Sequence, residues 1–591
     1  MAGNTEWDIS QIVDFSGGVN KTTSPFGLEI NQVREANNVF LGVGKALQKR
    51  DGYTRITTTS TLDALYLERI MRFYSDTQAS TIVTGMSSTG RKIYRVSGTS
   101  LVEITGGTNF GYNASIELFQ FKDMRTNNTY ALYYDGTSWD YSDENLSTRA
   151  ACGFKTGTGQ ITDLKPDFMF TTDRRLFVHD ARYPNSLYYT EIDGFPVSSS
   201  PAEWDFKTTD YVTIQDSGPD SIGIVTAIRL ASEDNPFIFR ENDVWKLIGT
   251  GTSNYEQRQV VAPSGCVAKR GICVTPQNTV IYVGNGRIYE AAGLEGVAIS
   301  EDIEELLKDK DLTDAVAHYD IIRNIVQIST NDLCLVWDCY GRAWTTFDLY
   351  QKDVAAGKAS SDGGDIYFLK YGSEHVFKMW DGNVDDEHAA TGTISSSGVT
   401  VTGVGTNFTG ELQEGQYIVA NSQLAVIESI TSNTVLTTTA ATAFSPAITA
   451  GTSFVVGSYI PVRIITADIV IDNFYLPSIF RDCKFLVDSY NEHPFSVNVY
   501  VNNRPVRSAD TNLEISGGTW EDDLGTSIWD STSWAAPSYV AVMGANDSYE
   551  APNVDTPGAA IRFDLSNSDS DPLVLFGIAM AQAKTNMRHA G

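Results

Sequence analysis

Side-chain catalysis needs particular groups at workable spacing, and this sequence offers few of them. No His-Glu-x-x-His pair, phosphate loop with Lys followed by Ser or Thr, or Gly-x-Ser-x-Gly elbow is present. The run Gly42-Val-Gly-Lys45 lacks the spacer and hydroxyl that would place phosphate and magnesium, so it reads as a turn. The six histidines (His179, His318, His375, His388, His493, His589) are isolated from one another. The cysteine pairs Cys266/Cys273 and Cys334/Cys339 match no zinc ribbon or knuckle and read as small buried hydrophobes, and with Cys152 and Cys483 the six cysteines are spread without metal-type pairing. Asp381, Asn383 and Asp385 alternate as at the start of a calcium loop, but Asp386 and Gly392 stand where the loop needs Gly and Glu. That tract and Asn567-Ser-Asp-Ser-Asp571 read as solvated turns. Asp135-Gly-Thr-Ser-Trp139 matches only the tail of a sialidase repeat, and paired carboxylates for glycoside hydrolysis remain a minority reading. The sequence therefore assigns no catalytic, cofactor-binding or metal-ligating residue and points away from an enzyme.

The elements that would position any site are strands. Apolar runs such as Thr81-Ile-Val-Thr, Tyr130-Ala-Leu-Tyr-Tyr, Leu176-Phe-Val-His and Val280-Ile-Tyr-Val are separated by Gly, Asn, Asp and Ser clusters. Two helices are expected. One is Ser300 to Lys308, with Ser300 as N-cap and acids in the first turn; the other is a short segment from Glu29 to Val39. An aromatic-bearing strand followed by a Gly or Asp turn recurs from residue 60 to about 387. Its instances begin at Lys92, Ser138, Ser186, Asp243, Gly286 and His375, spaced about 40 to 60 residues apart with one longer gap. Small twisted sheets at that period bury their faces by stacking radially, so residues 60–387 are expected to form a β-propeller.

Composition then shifts. No Lys or Arg occurs between Lys378 and Arg463, where Ser, Thr, Gly and Val dominate. About five short strands in residues 388–457 predict an inserted small β-barrel or sandwich. Alternating strands from Pro461 onward predict a C-terminal β-sandwich over 458–591, with an acidic loop from Ser508 to Ala560 that carries Trp520, Trp529 and Trp534. The fold class is thus mainly β: a propeller, an inserted module and a sandwich, preceded by an N-terminal segment over 1–59.

Charge limits the partners. The 591 residues hold 43 Lys and Arg against 73 Asp and Glu, a formal charge of 43 − 73 = −30. Such a surface is not built to grip nucleic acid or anionic lipid. No run approaches 18 apolar residues, and Met1–Asp8 shows no basic or apolar leader, so a chain made in a reducing cytoplasm is expected.

The N-terminal stretch is the most distinctive. Asp14-Phe-Ser-Gly-Gly-Val-Asn-Lys21 is followed by Ser24-Pro-Phe-Gly-Leu-Glu-Ile-Asn31, Ala36-Asn-Asn-Val39 and Leu47-Gln-Lys-Arg-Asp-Gly-Tyr53. This run resembles the opening of tail nozzle (tail tubular, or head-to-tail stabilisation) proteins of short-tailed bacteriophages. Arg175-Leu-Phe-Val-His, Gly265-Cys-Val-Ala, Ile299-Ser-Glu-Asp-Ile, Val336-Trp-Asp and Ala343-Trp-Thr-Thr-Phe-Asp extend the resemblance across most of residues 10–387. The resemblance implies a virion tail protein assembled in the host cytoplasm. It further implies a homohexameric ring below the portal and adaptor rings, which retains packaged double-stranded DNA and conducts it during ejection. The negative charge fits a lumen that DNA passes without specific binding. The insert is not required by the family pattern and is expected outside the tube, facing tail fibres or the host surface. Phe15, Gly17, Gly18, Pro25 and Phe26 are the expected interface residues of an N-terminal arm, the glycines allowing close approach and the rings supplying anchors. The alternatives are a receptor-binding or fibre-attachment tail protein and a carbohydrate-active propeller enzyme. No cofactor is expected.

Overall fold

The computed structural model describes residues 7–584 except 13, 26, 58–63, 77–78, 113–114, 124–126, 173–174, 191–202, 215–222, 230–234, 250–254, 359–362, 372, 471–477, 490–493, 502–503, 513–537, 544–559 and 568–572. The fold is mainly β. Among the described residues helix is confined to single turns, including Glu304–Leu307 and Phe408–Glu411. The chain divides into two compact units. One comprises Met1–Thr54, Val336–Asp348 and Trp380–Gly591; the other comprises Arg55–Leu335 and Leu349–Met379.

The second unit is a β-propeller. Among the described residues five small sheets and the leading antiparallel strands of two larger ones follow one another as seven blades, each built in chain order from the inside out. Their inner strands are Ala64–Tyr74, Glu117–Asp123, Pro166–Thr171, Thr226–Arg229, Ile272–Val274, Val316–Asp320 and Gln351–Ala356. Each of these lies beside the next, and the last lies beside the first, so the ring is closed. The seventh blade has three strands of its own, ending in Val376–Met379. Its outer position is filled from the start of the unit, where Ile56 N–H donates to the Val376 carbonyl at 2.8 Å and Val376 N–H to Thr57 Oγ1 at 2.9 Å.

Every recurring strand read from the sequence proves to be the third strand of a blade: Gly90–Ser97, Trp139–Ser142, Ser186–Tyr189, Val244–Ile248, Ile288–Ala292 and Val376–Met379. The longer gap is the sixth blade, whose third strand starts at Cys334. The second strands read as unbroken apolar runs because both faces are covered. In Asn128–Tyr134, Ala131 and Tyr133 join the core shared with blade 1, while Tyr130, Leu132 and Tyr134 join the core shared with blade 3.

The other unit carries two larger sheets and a barrel. One sheet runs Val39–Leu41, Leu47–Lys49, Leu573–Lys584, Ser478–Ser489, Ser538–Met543, with Trp7–Ile12 also paired to Leu573–Lys584. The other contains Ala343–Thr346, Gln32–Asn37, Val462–Thr466, Ala560–Asn567, Pro494–Val501 and Arg504–Asn512 in that order. These form the C-terminal sandwich, and the N-terminal segment contributes strands to both sheets. The segment read as an arm is therefore part of this unit's own structure.

The helix expected from Glu29 to Val39 is instead the strand Gln32–Asn37. Its pairing with Val462–Thr466 slips between Val33 and Glu35. That bulge brings Val33 and Ala36, three residues apart, to the buried side and so imitates helical spacing. The Ser300 helix is shorter than expected, a 3-10 turn over Glu301–Ile303 running into Glu304–Leu307. The Ser300 hydroxyl does not cap it; it accepts the Ile288 N–H at 3.0 Å.

The insert is a small barrel. Its strands follow the order Val455–Ser458, Tyr417–Ala420, Gln423–Ser432, Val435–Thr438, Thr400–Val404, Thr393–Ser397. The ends meet where Ile394 N–H donates to the Thr452 carbonyl at 2.8 Å and Thr452 N–H returns to Ile394 at 3.3 Å. Ile394, Val401, Phe408, Ile418, Leu436 and Phe454 are among the residues of its own core.

Candidate functional site

Inner propeller strands turn one edge toward the axis, and three of them carry bulges whose extra residue is charged. The bulges fall between Leu67 and Arg69, between Pro166 and Phe168, and between Gln351 and Asp353, so Glu68, Asp167 and Lys352 are re-aimed. Around them charges from four blades converge. Arg270, just before blade 5, donates from Nη2 to Glu117 Oε2 of blade 2 at 2.8 Å, and its Nη1 lies 2.5 Å from Asp353 Oδ2 of blade 7. Glu117 is also 3.2 Å from Lys269 Nζ and 3.8 Å from Arg69 Nη2 of blade 1. Asp353 Oδ2 accepts the Ile70 N–H at 2.8 Å, and Lys352 Nζ donates to the Leu67 carbonyl at 2.7 Å. Blades 2 and 5 are not neighbours, so these pairs reach across the ring. Burial opposes the charge of Glu117, but Arg270, Lys269 and Arg69 outweigh it and bring the pKa down to about 2. The arrangement is a set of mutually compensated charges that links blades across the ring.

A half-open cleft of about 340 Å³ lies elsewhere in the propeller, with Val225, Val267 and Leu312 in its wall and Glu241, Asn285 and Asp311 among its polar groups. Lys310 beside it is held by Asp332 at 2.5 Å.

The residues expected at an interface fall in the sandwich unit. Phe15 is fully buried by its own chain, so it has no face left to anchor a neighbour. Gly17 and Pro25 are half-buried, and Phe26 lies outside the described residues. Gly18 has φ +59°, and a Cβ there would sit 2.8 Å from both the Ala343 Cβ and the Trp344 carbonyl oxygen. The close approach read from the sequence is present, but it is made to the same chain. Gly18→Ala is expected to cost about 2 kcal/mol or more of unfolding free energy, through strain and overlap together, measurable by urea denaturation. Sequence reasoning missed Tyr340, 86% exposed beside Asp338–Arg342 turn contacts, because one Tyr in a turn carries no pattern.

Two carboxylates of the acidic tract are engaged within the chain. Asp385 is paired to Arg50 through two bonds, Nη1–Oδ1 at 2.7 Å and Nη2–Oδ2 at 2.5 Å, and Asp381 accepts from Thr54 Oγ1 at 2.6 Å. In the second tract Asn567 accepts from Lys49 at 3.3 Å, and residues 568–572 lie outside the described residues, as do Trp520, Trp529 and Trp534. His179 is held between the Asp167 carboxylate at 2.7 Å and the Pro184 carbonyl at 3.1 Å. Cys152, Cys266, Cys273, Cys334 and Cys339 are buried, and burial pushes the Cys266 thiol up to about 12. Among the described residues no group of three or more His, Cys, Asp or Glu is placed to hold a metal ion. Nor is any helix among them long and apolar enough to cross a membrane.

No protein-family description and no curated protein matches this chain. Among solved structures it is similar to the extracellular domain of BT4673 from B. thetaiotaomicron, at 10% identity and a TM-score of 0.40 over 74% of this chain and 60% of that one. It is also similar to YCF48 from Cyanidioschyzon merolae, at 10% identity and a TM-score of 0.35 over 56% of this chain and 98% of that one. The chain spans about 60% of the length of the first of these.

Proposed function

We propose that this chain is the subunit of an oligomeric virion ring, the tail nozzle of a short-tailed phage, which retains packaged DNA and conducts it during ejection. The observation that carries the reading is the run of N-terminal motifs from Asp14 to Tyr53, which resembles the opening of that family. Two physical points support it. Ion pairs reach across the propeller ring, so a passage for duplex would be enclosed between copies rather than within one propeller. A chain of net charge −30 would line such a passage with groups that repel phosphate. Ring closure requires a heterologous contact, in which one surface of a copy meets a different surface of the next. Among the described residues Tyr340 is the most exposed of the large hydrophobic side chains and is available for such a contact.

Electron microscopy of the purified chain, mixed with its adaptor and portal partners if it is alone monomeric, tests the reading. Rings with six-fold symmetry and an axial hole are expected, and Tyr340→Ser should reduce their yield. Trimers without a hole would favour an attachment protein; monomers that cleave host glycans would favour an enzyme. Either result would overturn the nozzle.

A further inference from the structure

We infer that Asp353 is the clasp that keeps the propeller ring shut, a positioning residue that ties the last blade to the first and to the far side of the ring. The seam between blades 7 and 1 is where the ring's chain ends meet. At its outer side Ile56 and Thr57 bond Val376, and farther in the Leu67 N–H of blade 1 donates to the Ser373 carbonyl at 3.1 Å. An apolar core that includes Leu67, Ile70, Ala355 and Val376 fills the seam, but apolar packing is non-directional and does not by itself fix which blades abut. Asp353 supplies the direction. Its side chain is 4% exposed, and one oxygen takes both the Ile70 N–H of blade 1 and the Arg270 guanidinium. Arg270 in turn holds Glu117 of blade 2, so one carboxylate connects blades 7, 1, 5 and 2. The neighbouring Lys352, set by the same bulge, adds a bond to the Leu67 carbonyl. The charged groups facing Asp353 are thus Arg270 directly, and Glu117, Lys269 and Arg69 through it. Replacing the carboxylate by an amide leaves the Ile70 N–H and one arm of Arg270 to share a neutral oxygen, which weakens the charge-assisted bond at the seam.

Hydrogen exchange of the full chain with Asp353→Asn tests this. Peptides from 64–74 and 351–379 are expected to exchange at least ten-fold faster, while those from 226–260 on the opposite side keep their protection. Arg270→Lys, which keeps the charge but loses the two-armed bridge, should show a smaller change confined to the same peptides and supplies the reading if Asp353→Asn fails to fold. In the double variant the two effects should be less than additive, because one bridge is lost only once. Exchange that rises equally around the ring, or does not rise at the seam in either variant, would overturn the clasp.

Discussion

Asp385→Ala is expected to destabilise the sandwich unit by about 3–5 kcal/mol, the usual cost of breaking a buried ion pair from one side. The side chain of Arg50 is 0% exposed, so the guanidinium cannot turn to water when its carboxylate is removed. Its other partners include Asn38 Oδ1 at 2.9 Å, the Asp51 carbonyl at 3.2 Å and the face of Phe347 at 5.7 Å. Asn38 also donates to Asp348 at 3.1 Å and to the Pro461 carbonyl at 2.7 Å, so four distant segments meet around one cation. Replacing Arg50 and Asp385 together with apolar residues of similar volume should recover much of the loss, since the desolvation cost of both charges disappears with them. Urea unfolding followed by circular dichroism reads both changes. A single variant as stable as the parent would show that the pair is hydrated and contributes little.

The second large effect is in acid. Glu117 titrates normally near 4.5 when unfolded and near 2 in the folded propeller, so the folded state holds the charged form more tightly. A depressed folded pKa gives stability that is complete above about 4.5 and is lost as pH falls toward 2. The difference corresponds to about 3 kcal/mol at neutral pH. Glu117→Gln should therefore lower the unfolding midpoint of the propeller most above pH 5. The two proteins should converge as pH approaches 2, where the parent carboxylate is itself protonated. A constant difference across that range would assign the loss to packing rather than charge.

Much of the propeller was legible in the sequence because its third strands combine an aromatic with a Gly or Asp turn at a regular period. The sixth blade was passed over as a longer gap, although Cys334-Leu-Val-Trp-Asp338 carries the same aromatic and Asp. The barrel was legible from composition, since a stretch without Lys or Arg stands out against its flanks. The axial charges were not legible. Arg69, Glu117, Arg270 and Asp353 are far apart in the chain, and each sits in or just before an inner strand whose bulge or start gives no sequence signal. The same physics misled the reading of Glu29 to Val39, where a bulge reproduced the spacing of a helix. At Phe15 the residue type was right for an anchor. Only the structure says which chain it anchors.

The way the barrel is rooted has a practical side. Its entering strand, Asp385–Ala389, and its leaving strand, Val455–Ser458, are hydrogen-bonded partners, with His388 opposite Val456 and Ala389 opposite Val455. Entry and exit are therefore one strand spacing apart, roughly 5 Å, a gap that a tight hairpin turn spans. The intervening residues behave as a cartridge: they can be swapped for another small module, or trimmed to a two-residue turn, with the flanking chain left in register. A lineage could exchange what this chain displays there without rebuilding the frame that carries it.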